Sequence, residues 1–188
     1  MLVAGLAVFS VLHSVLASYR GRVWAERRFG LRGRAYQLAY NLLAAALLLG
    51  AWLSTRGEYP FAWRLTGWLR AALLGVQGLA LGGAALTLRE FDVREFLGLR
   101  GNSGRSVGAA LRTRGMYALC RHPLYLTTAV FFSARPTMDL RWLVVAGWLW
   151  IYSYLGSIFE ERRLLHEHGD AYRLYQMTHP RLIRIGRS

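Results

Sequence analysis

Residues 142–159 read WLVVAGWLWIYSYLGSIF, eighteen residues without a charge, and this run decides what kind of protein the chain makes. A helix needs roughly 20 mainly apolar residues to cross a bilayer, with about 17 to 25 tolerated. Working outward, Leu2 to Ser18, Tyr36 to Leu53 and Trp68 to Leu88 meet the same test. Arg70 lies near one end of the third run, where its long side chain can reach the interface. The stretch Leu124 to Ala134 is too short to cross a full bilayer alone. Pro123 disfavours a helical His122, so the proline itself starts this helix. The expected fold class is therefore all-α: a polytopic transmembrane helical bundle of about five spans (2–18, 36–53, 68–88, 123–134 and 142–159). Residues 160–188 are expected to form a cytoplasmic tail with one further helix, and residues 1–188 a single integral-membrane domain.

Composition agrees. Of the 188 residues 54% are hydrophobic, which does not suit a soluble domain carrying a net charge of +14. The 24 basic residues are all arginine, and they are scattered between the apolar runs. Scattered charge reads as anchoring against anionic lipid, so the expected partner is the bilayer and not nucleic acid. A lone cysteine, Cys120, excludes an internal disulfide and a cysteine-rich metal site. The opening stretch Met1 to Ala17 lacks the charged start and cleavage site of a signal peptide and reads as a retained span.

Arginine counts set the expected orientation. The connection 19–35 holds six and 89–121 holds seven, 54–67 and 135–141 hold two each, and six follow residue 159. That alternation places the N-terminus outside and the C-terminus in the cytoplasm, in what reads as a bacterial cytoplasmic membrane. Trp52, Trp63, Trp68 and Trp142 gather at the predicted outer ends, as an aromatic belt does. Gly78 and Gly82, with Gly75 and Gly83 nearby, mark the third span for close helix packing. Gly101-Asn102-Ser103-Gly104 lacks the ending of a phosphate loop and reads as a cytoplasmic linker or lid.

Two constellations fall on the cytoplasmic side. One is Gly115-Met116-Tyr117 followed by Arg121-His122-Pro123-Leu124-Tyr125; the other is Glu160-Glu161 followed by Gly169, Tyr172 and Tyr175. The first reads either as a plain helix anchor or as an anion site, made by a helix N-terminus with an adjacent guanidinium. The second reads either as a solvated helix start, with Glu160 and Arg163 paired, or as carboxylates at the membrane surface. Desolvation there would fit them to a cationic ligand or to proton transfer. Neither has metal-ligand spacing, and no metal is expected.

Taken together, Arg121-His122-Pro123-Leu124-Tyr125 and Glu160-Glu161-Arg162-Arg163-Leu164 with Gly169, Tyr172 and Tyr175 resemble the C-terminal signature of integral-membrane methyltransferases. That group includes the isoprenylcysteine carboxyl and phospholipid N-methyltransferases. The amino half resembles the branch holding the NnrU and nurim-like proteins and the methanethiol S-methyltransferases, through 13–18, 36–52 and Phe91-Asp92-Val93-Arg94-Glu95-Phe96-Leu97-Gly98-Leu99-Arg100. The resemblance implies S-adenosylmethionine as cofactor, bound by Tyr117, Arg121, His122, Pro123, Leu124, Tyr125, Glu161, Tyr172 and Tyr175. Glu160, Glu161 and Arg121 are the implied catalytic residues, and His13 and Arg94 are candidate substrate contacts. The implied acceptor is lipophilic or small and membrane-permeable, a thiol or prenylcysteine carboxylate ahead of a phospholipid amine. Relatives often carry a glycine where this chain has Thr127, and a proline near Arg184 where it has none. A rival reading starts from His13: a histidine inside a span is a functional candidate, and one relative of the NnrU branch uses haem, which suggests a haem-binding isomerase or redox protein. The bland alternative for His13 is a hydrogen-bonded packing residue beside Ser14.

Overall fold

A computed structural model describes residues 1–55, 57–90, 93–97, 99 and 111–183. The segment 101–104 expected as a linker or lid lies outside them. The chain divides into two units, Met1–Glu58 with Phe91–Val107, and Tyr59–Glu90 with Gly108–Ser188.

In the first unit, helix α1 (Leu2–Ala17) packs on α3 (Gly33–Leu53). Leu2, Leu6 and Phe9 recur at helical spacing and are buried, and His13 continues the same stripe. Between them α2 (Tyr19–Phe29) turns away from α1 by 81°. Ser18 makes that bend: its extended backbone ends one helix, and its hydroxyl accepts the Gly21 N–H at 3.1 Å to cap the next. The Tyr36 hydroxyl donates to the Leu16 carbonyl and ties α3 to this corner. Arg94 stands in the short helix α5 (Val93–Phe96).

The second unit is built on α4 (Gly67–Arg89), α6 (Pro123–Ser133) and α7 (Leu140–His168), with a final helix α8 (Asp170–Thr178). The two connections expected as plain loops pair instead. Strand β1 (Phe61–Arg64) runs antiparallel to β2 (Thr137–Asp139), a small ribbon added to an otherwise helical fold. Asp139 then caps α7 by accepting the Trp142 N–H at 2.8 Å.

Three helices, Gly33–Leu53, Gly67–Arg89 and Leu140–His168, are long and apolar enough to cross a membrane; α1 makes a fourth if it is joined with α2. Only 11% to 17% of their apolar windows is buried inside the protein, so most of that surface faces outward, where lipid can cover it. Helix α6 has 11 residues, about 16 Å at 1.5 Å per residue, or half of a hydrocarbon core of ~30 Å. The fifth expected span is thus a half-length helix held between longer neighbours.

Small residues make that possible. The buried positions include Ala80, Gly83 and Thr87 on α4, Thr127 and Ala129 on α6, and Ala146, Ser153 and Ser157 on α7. Where no hydrophobic force drives helices together, small side chains let backbones approach and dispersion act. Gly83 is the glycine that packing uses: a Cβ there would lie 3.0 Å from the Met116 and Thr127 methyl groups, whereas Gly75, Gly78 and Gly82 face nothing within 4 Å. Gly83 therefore leaves room for the Thr127 methyl.

Helix α7 does not end with its apolar run. No glycine or proline interrupts Glu160 to His168, so the helix continues through both acids and stops only at Gly169. Gly169 takes φ 54° and ψ −126°, a conformation open to glycine and strained for other residues, and this turns α8 back against α7.

Candidate functional site

The end of α6 that begins at Pro123 lies level with Glu160 and Glu161 on α7, and α8 closes over both. His122 takes φ −128° and ψ 64°, outside the helical region as the residue before a proline tends to be, and the N–H groups of Arg121 and His122 lie outside the α6 hydrogen-bond ladder. They donate to the tail: Arg121 N–H to the Pro180 carbonyl at 2.9 Å and His122 N–H to the Arg181 carbonyl at 3.2 Å.

Glu161 sits at the centre and is 3% exposed. Its Oε1 accepts from Arg121 Nε at 2.9 Å and Nη2 at 2.8 Å, His122 Nε2 at 3.2 Å and Arg181 Nε at 3.2 Å. Its Oε2 accepts from Gln176 Nε2 at 3.0 Å and Arg181 Nη2 at 2.7 Å. Burial alone would raise the pKa of this carboxyl. The hydrogen bonds from His122, Arg181 and Arg121 outweigh burial and hold it well below the usual carboxylate range. The remaining Arg121 donors are also committed: Nη1 donates to the Gln176 carbonyl at 3.0 Å and to the His179 carbonyl, which satisfies the C-terminus of α8.

Glu160, one residue earlier, is placed differently. Its Oε2 is 3.4 Å from His122 Nδ1, and its side chain is 34% exposed. His122 thus bridges the two acids. Burial lowers its pKa, but the hydrogen bonds to Glu160 and Glu161 reverse this and leave it raised, so it carries charge over a wider pH range than a free histidine. The His122 ring stacks on Tyr125, with centroids 5.5 Å apart and planes 10° from parallel.

Two tyrosines of α8 complete the wall. The Tyr175 hydroxyl donates to the Tyr117 carbonyl at 2.6 Å and so ties α8 to the single 3-10 turn Gly115–Ala118. Tyr172 is 1% exposed, and its ring meets Tyr175 edge to face at 6.0 Å. Burial and the Glu161 charge push its hydroxyl pKa up to about 12.

The structure thus brings together Tyr117, Arg121, His122, Pro123, Leu124, Tyr125, Glu160, Glu161, Tyr172 and Tyr175. His13 and Arg94 stand in the other unit. His13 Nε2 lies 2.6 Å from the Tyr40 hydroxyl, and its ring is flanked by Phe9 and Tyr40 with centroids at 5.0 Å, as a hydrogen-bonded packing residue would be. Sequence reasoning missed Gln176 and Arg181. One signal was available: Tyr172, Tyr175, Gln176 and His179 fall at i, i+3, i+4 and i+7, one face of α8. Although no proline stands near Arg184, the tail is pinned as far as residue 182, through Arg181 and the buried Leu182.

Residues 1–185 match the sequence pattern of a protein family described as NnrU protein. Methanethiol S-methyltransferase 2 of Bradyrhizobium diazoefficiens is 28% identical over 183 residues, covering 95% of this chain and 70% of that protein. Methanethiol S-methyltransferase 1 of the same organism is 30% identical over 190 residues, 97% of this chain and 66% of that protein. The enzyme of the same name from Crocosphaera subtropica is 27% identical over 190 residues, 95% of this chain and 71% of that protein. No solved structure matches the chain.

Proposed function

Because the chain belongs to the NnrU family, in its membrane-methyltransferase branch, we propose that it moves a methyl group from S-adenosylmethionine to a small thiol. The similarity to relatives named for methanethiol favours a thiol over a prenylcysteine carboxylate or a phospholipid amine. The residues fit such a cofactor: the Tyr125 ring, backed by the buried Tyr172 and Tyr175, stands near a partly exposed carboxylate, Glu160, and suits a cationic sulfonium with an attached ammonium. Tyr117, His122, Pro123 and Leu124 belong to the same cluster at the start of α6. In the proposed orientation this cluster faces the cytoplasm, with the N-terminus outside.

When bound, the cofactor supplies an electrophilic methyl group, and the chain's own contribution is position and charge. Glu160 carries the reading. It is the acid whose carboxylate is both held, by His122, and exposed to a ligand. It attracts the cationic donor and stands as acceptor for the thiol proton. Arg121 and Glu161 act behind it. Their donors and acceptors are committed to His122, Gln176, Arg181 and the end of α8, so they position the tail over the pocket.

The test is methylation by the purified full-length protein, with labelled cofactor and a panel of methanethiol, larger thiols, prenylcysteine and phosphatidylethanolamine. Methylated small thiol is expected as the main product. Glu160→Gln should lower turnover about 100-fold or more while the melting temperature stays within a degree or so, since a positioned proton acceptor typically contributes 10²–10⁴-fold. Wild-type protein that methylates no thiol, or full activity in Glu160→Gln, would defeat the proposal.

A further inference from the structure

At the opposite end of this unit α6 finishes, the β1–β2 ribbon crosses, and α4 and α7 begin. Arg70, Leu74 and Gln77 fall on one face of α4 and, with Arg135, Pro136 and Thr137, line a cavity of about 200 Å³. Two of these six residues carry positive charge and none is acidic. The backbone around Arg135 is fixed, because Trp63 Nε1 donates to its carbonyl at 3.0 Å and Leu65 N–H to the Pro136 carbonyl at 2.9 Å. The Arg135 guanidinium lies over the Trp142 ring, 4.0 Å from its centroid, and its Nε is buried without a hydrogen-bond partner among the described residues. A buried cationic N–H with no acceptor is costly, and an anion in the cavity would remove that cost. Gln77 is anchored by donating to the Phe131 carbonyl at 3.0 Å. Leu74 is 48% exposed, so the cavity opens on an apolar face of α4.

Charge at one wall and an open apolar surface at the other describe an amphipathic anion. We propose that this cavity binds the phosphate of an anionic phospholipid headgroup, held by Arg70 and Arg135, with its acyl chain lying along Leu74. Stacking on Trp142 orients Arg135 for this while keeping its charge. The site is separate from the Glu160–Glu161 cluster and does not depend on methyl transfer.

The same phosphate chemistry occurs in soluble esters, and the experiment separates the two sources. Purified full-length protein in detergent is titrated with short-chain phosphatidylglycerol, short-chain phosphatidylcholine and glycerol phosphate, and binding is read by native mass spectrometry and by the shift in melting temperature. Phosphatidylglycerol should bind about tenfold or more tighter than phosphatidylcholine, and glycerol phosphate should not displace it. Arg70→Gln, an exposed substitution that leaves the fold intact, should weaken phosphatidylglycerol on the order of tenfold, the loss of one charge-assisted hydrogen bond. Arg135→Gln should do the same, with Arg135→Lys intermediate. Equal binding of the two lipids, or unchanged phosphatidylglycerol binding in Arg70→Gln, overturns the site. Displacement by equimolar glycerol phosphate overturns the lipid assignment.

Discussion

Glu161→Gln tests how the candidate site is assembled, because one side chain holds four others in place. The carboxylate is 3% exposed and accepts from Arg121, His122, Gln176 and Arg181. Replacing it with an amide removes the charge that Arg121, His122 and Arg181 share and turns one oxygen into a donor facing donors. Breaking a buried ion pair from one side costs about 3–5 kcal/mol. Arg181 is 28% exposed at its side chain, and water compensates part of its loss, which lowers the expectation to roughly 2–4 kcal/mol. At about 1.4 kcal/mol per tenfold, the open state of the tail should rise roughly 30- to 700-fold. The readout is local. The Arg121 and His122 amides donate to the tail carbonyls of Pro180 and Arg181, so their hydrogen exchange should accelerate by that factor together with exchange in α8. Amides in the middle of α4 should change little. Less than about threefold acceleration at residues 121 and 122, in protein that remains monodisperse, would refute the claim that Glu161 clamps the tail.

Other perturbations probe separate links. Gly83→Ala places a Cβ 3.0 Å from the Thr127 methyl and should cost about 1–3 kcal/mol by overpacking; Thr127→Ser, which removes that methyl, should restore most of it in a double-mutant cycle of thermal unfolding. His122 has its pKa raised in the folded state, so its contribution to stability is complete below an unfolded pKa of about 6.5 and is lost as pH rises through the folded value. Wild-type melting temperature should therefore fall as pH rises above about 6.5, and His122→Gln should lose that component of the slope. Gly169→Ala forces a side chain into a conformation with φ 54° and ψ −126°, at a cost of about 1–3 kcal/mol; faster exchange in α8 with α7 unaffected would locate the strain at the turn.

The apolar runs were legible because lipid demands length and hydrophobicity and little else. The runs counted at 2–18, 36–53, 68–88, 123–134 and 142–159 each fall on a helix, although α7 continues past its apolar run to His168, and the start of α6 follows from Pro123 removing an N–H and fixing a dihedral angle. Arg121-His122-Pro123 and Glu160-Glu161 each stood out because charged residues beside apolar runs need a reason to be there, and the resemblance to membrane methyltransferases is what joined them as a pair. What the acids do separately was not legible. Two adjacent glutamates are equivalent in sequence, yet successive residues on a helix point about 100° apart, so one turns into the bundle and the other towards its surface. Glu161 accordingly collects Arg121, His122, Gln176 and Arg181, while Glu160 keeps an exposed edge. The ribbon between residues 61–64 and 137–139 and the choice of Gly83 over Gly78 and Gly82 were likewise decided by tertiary structure. Each depends on which surface arrives opposite, and a one-dimensional pattern carries periodicity but not the partner that meets it.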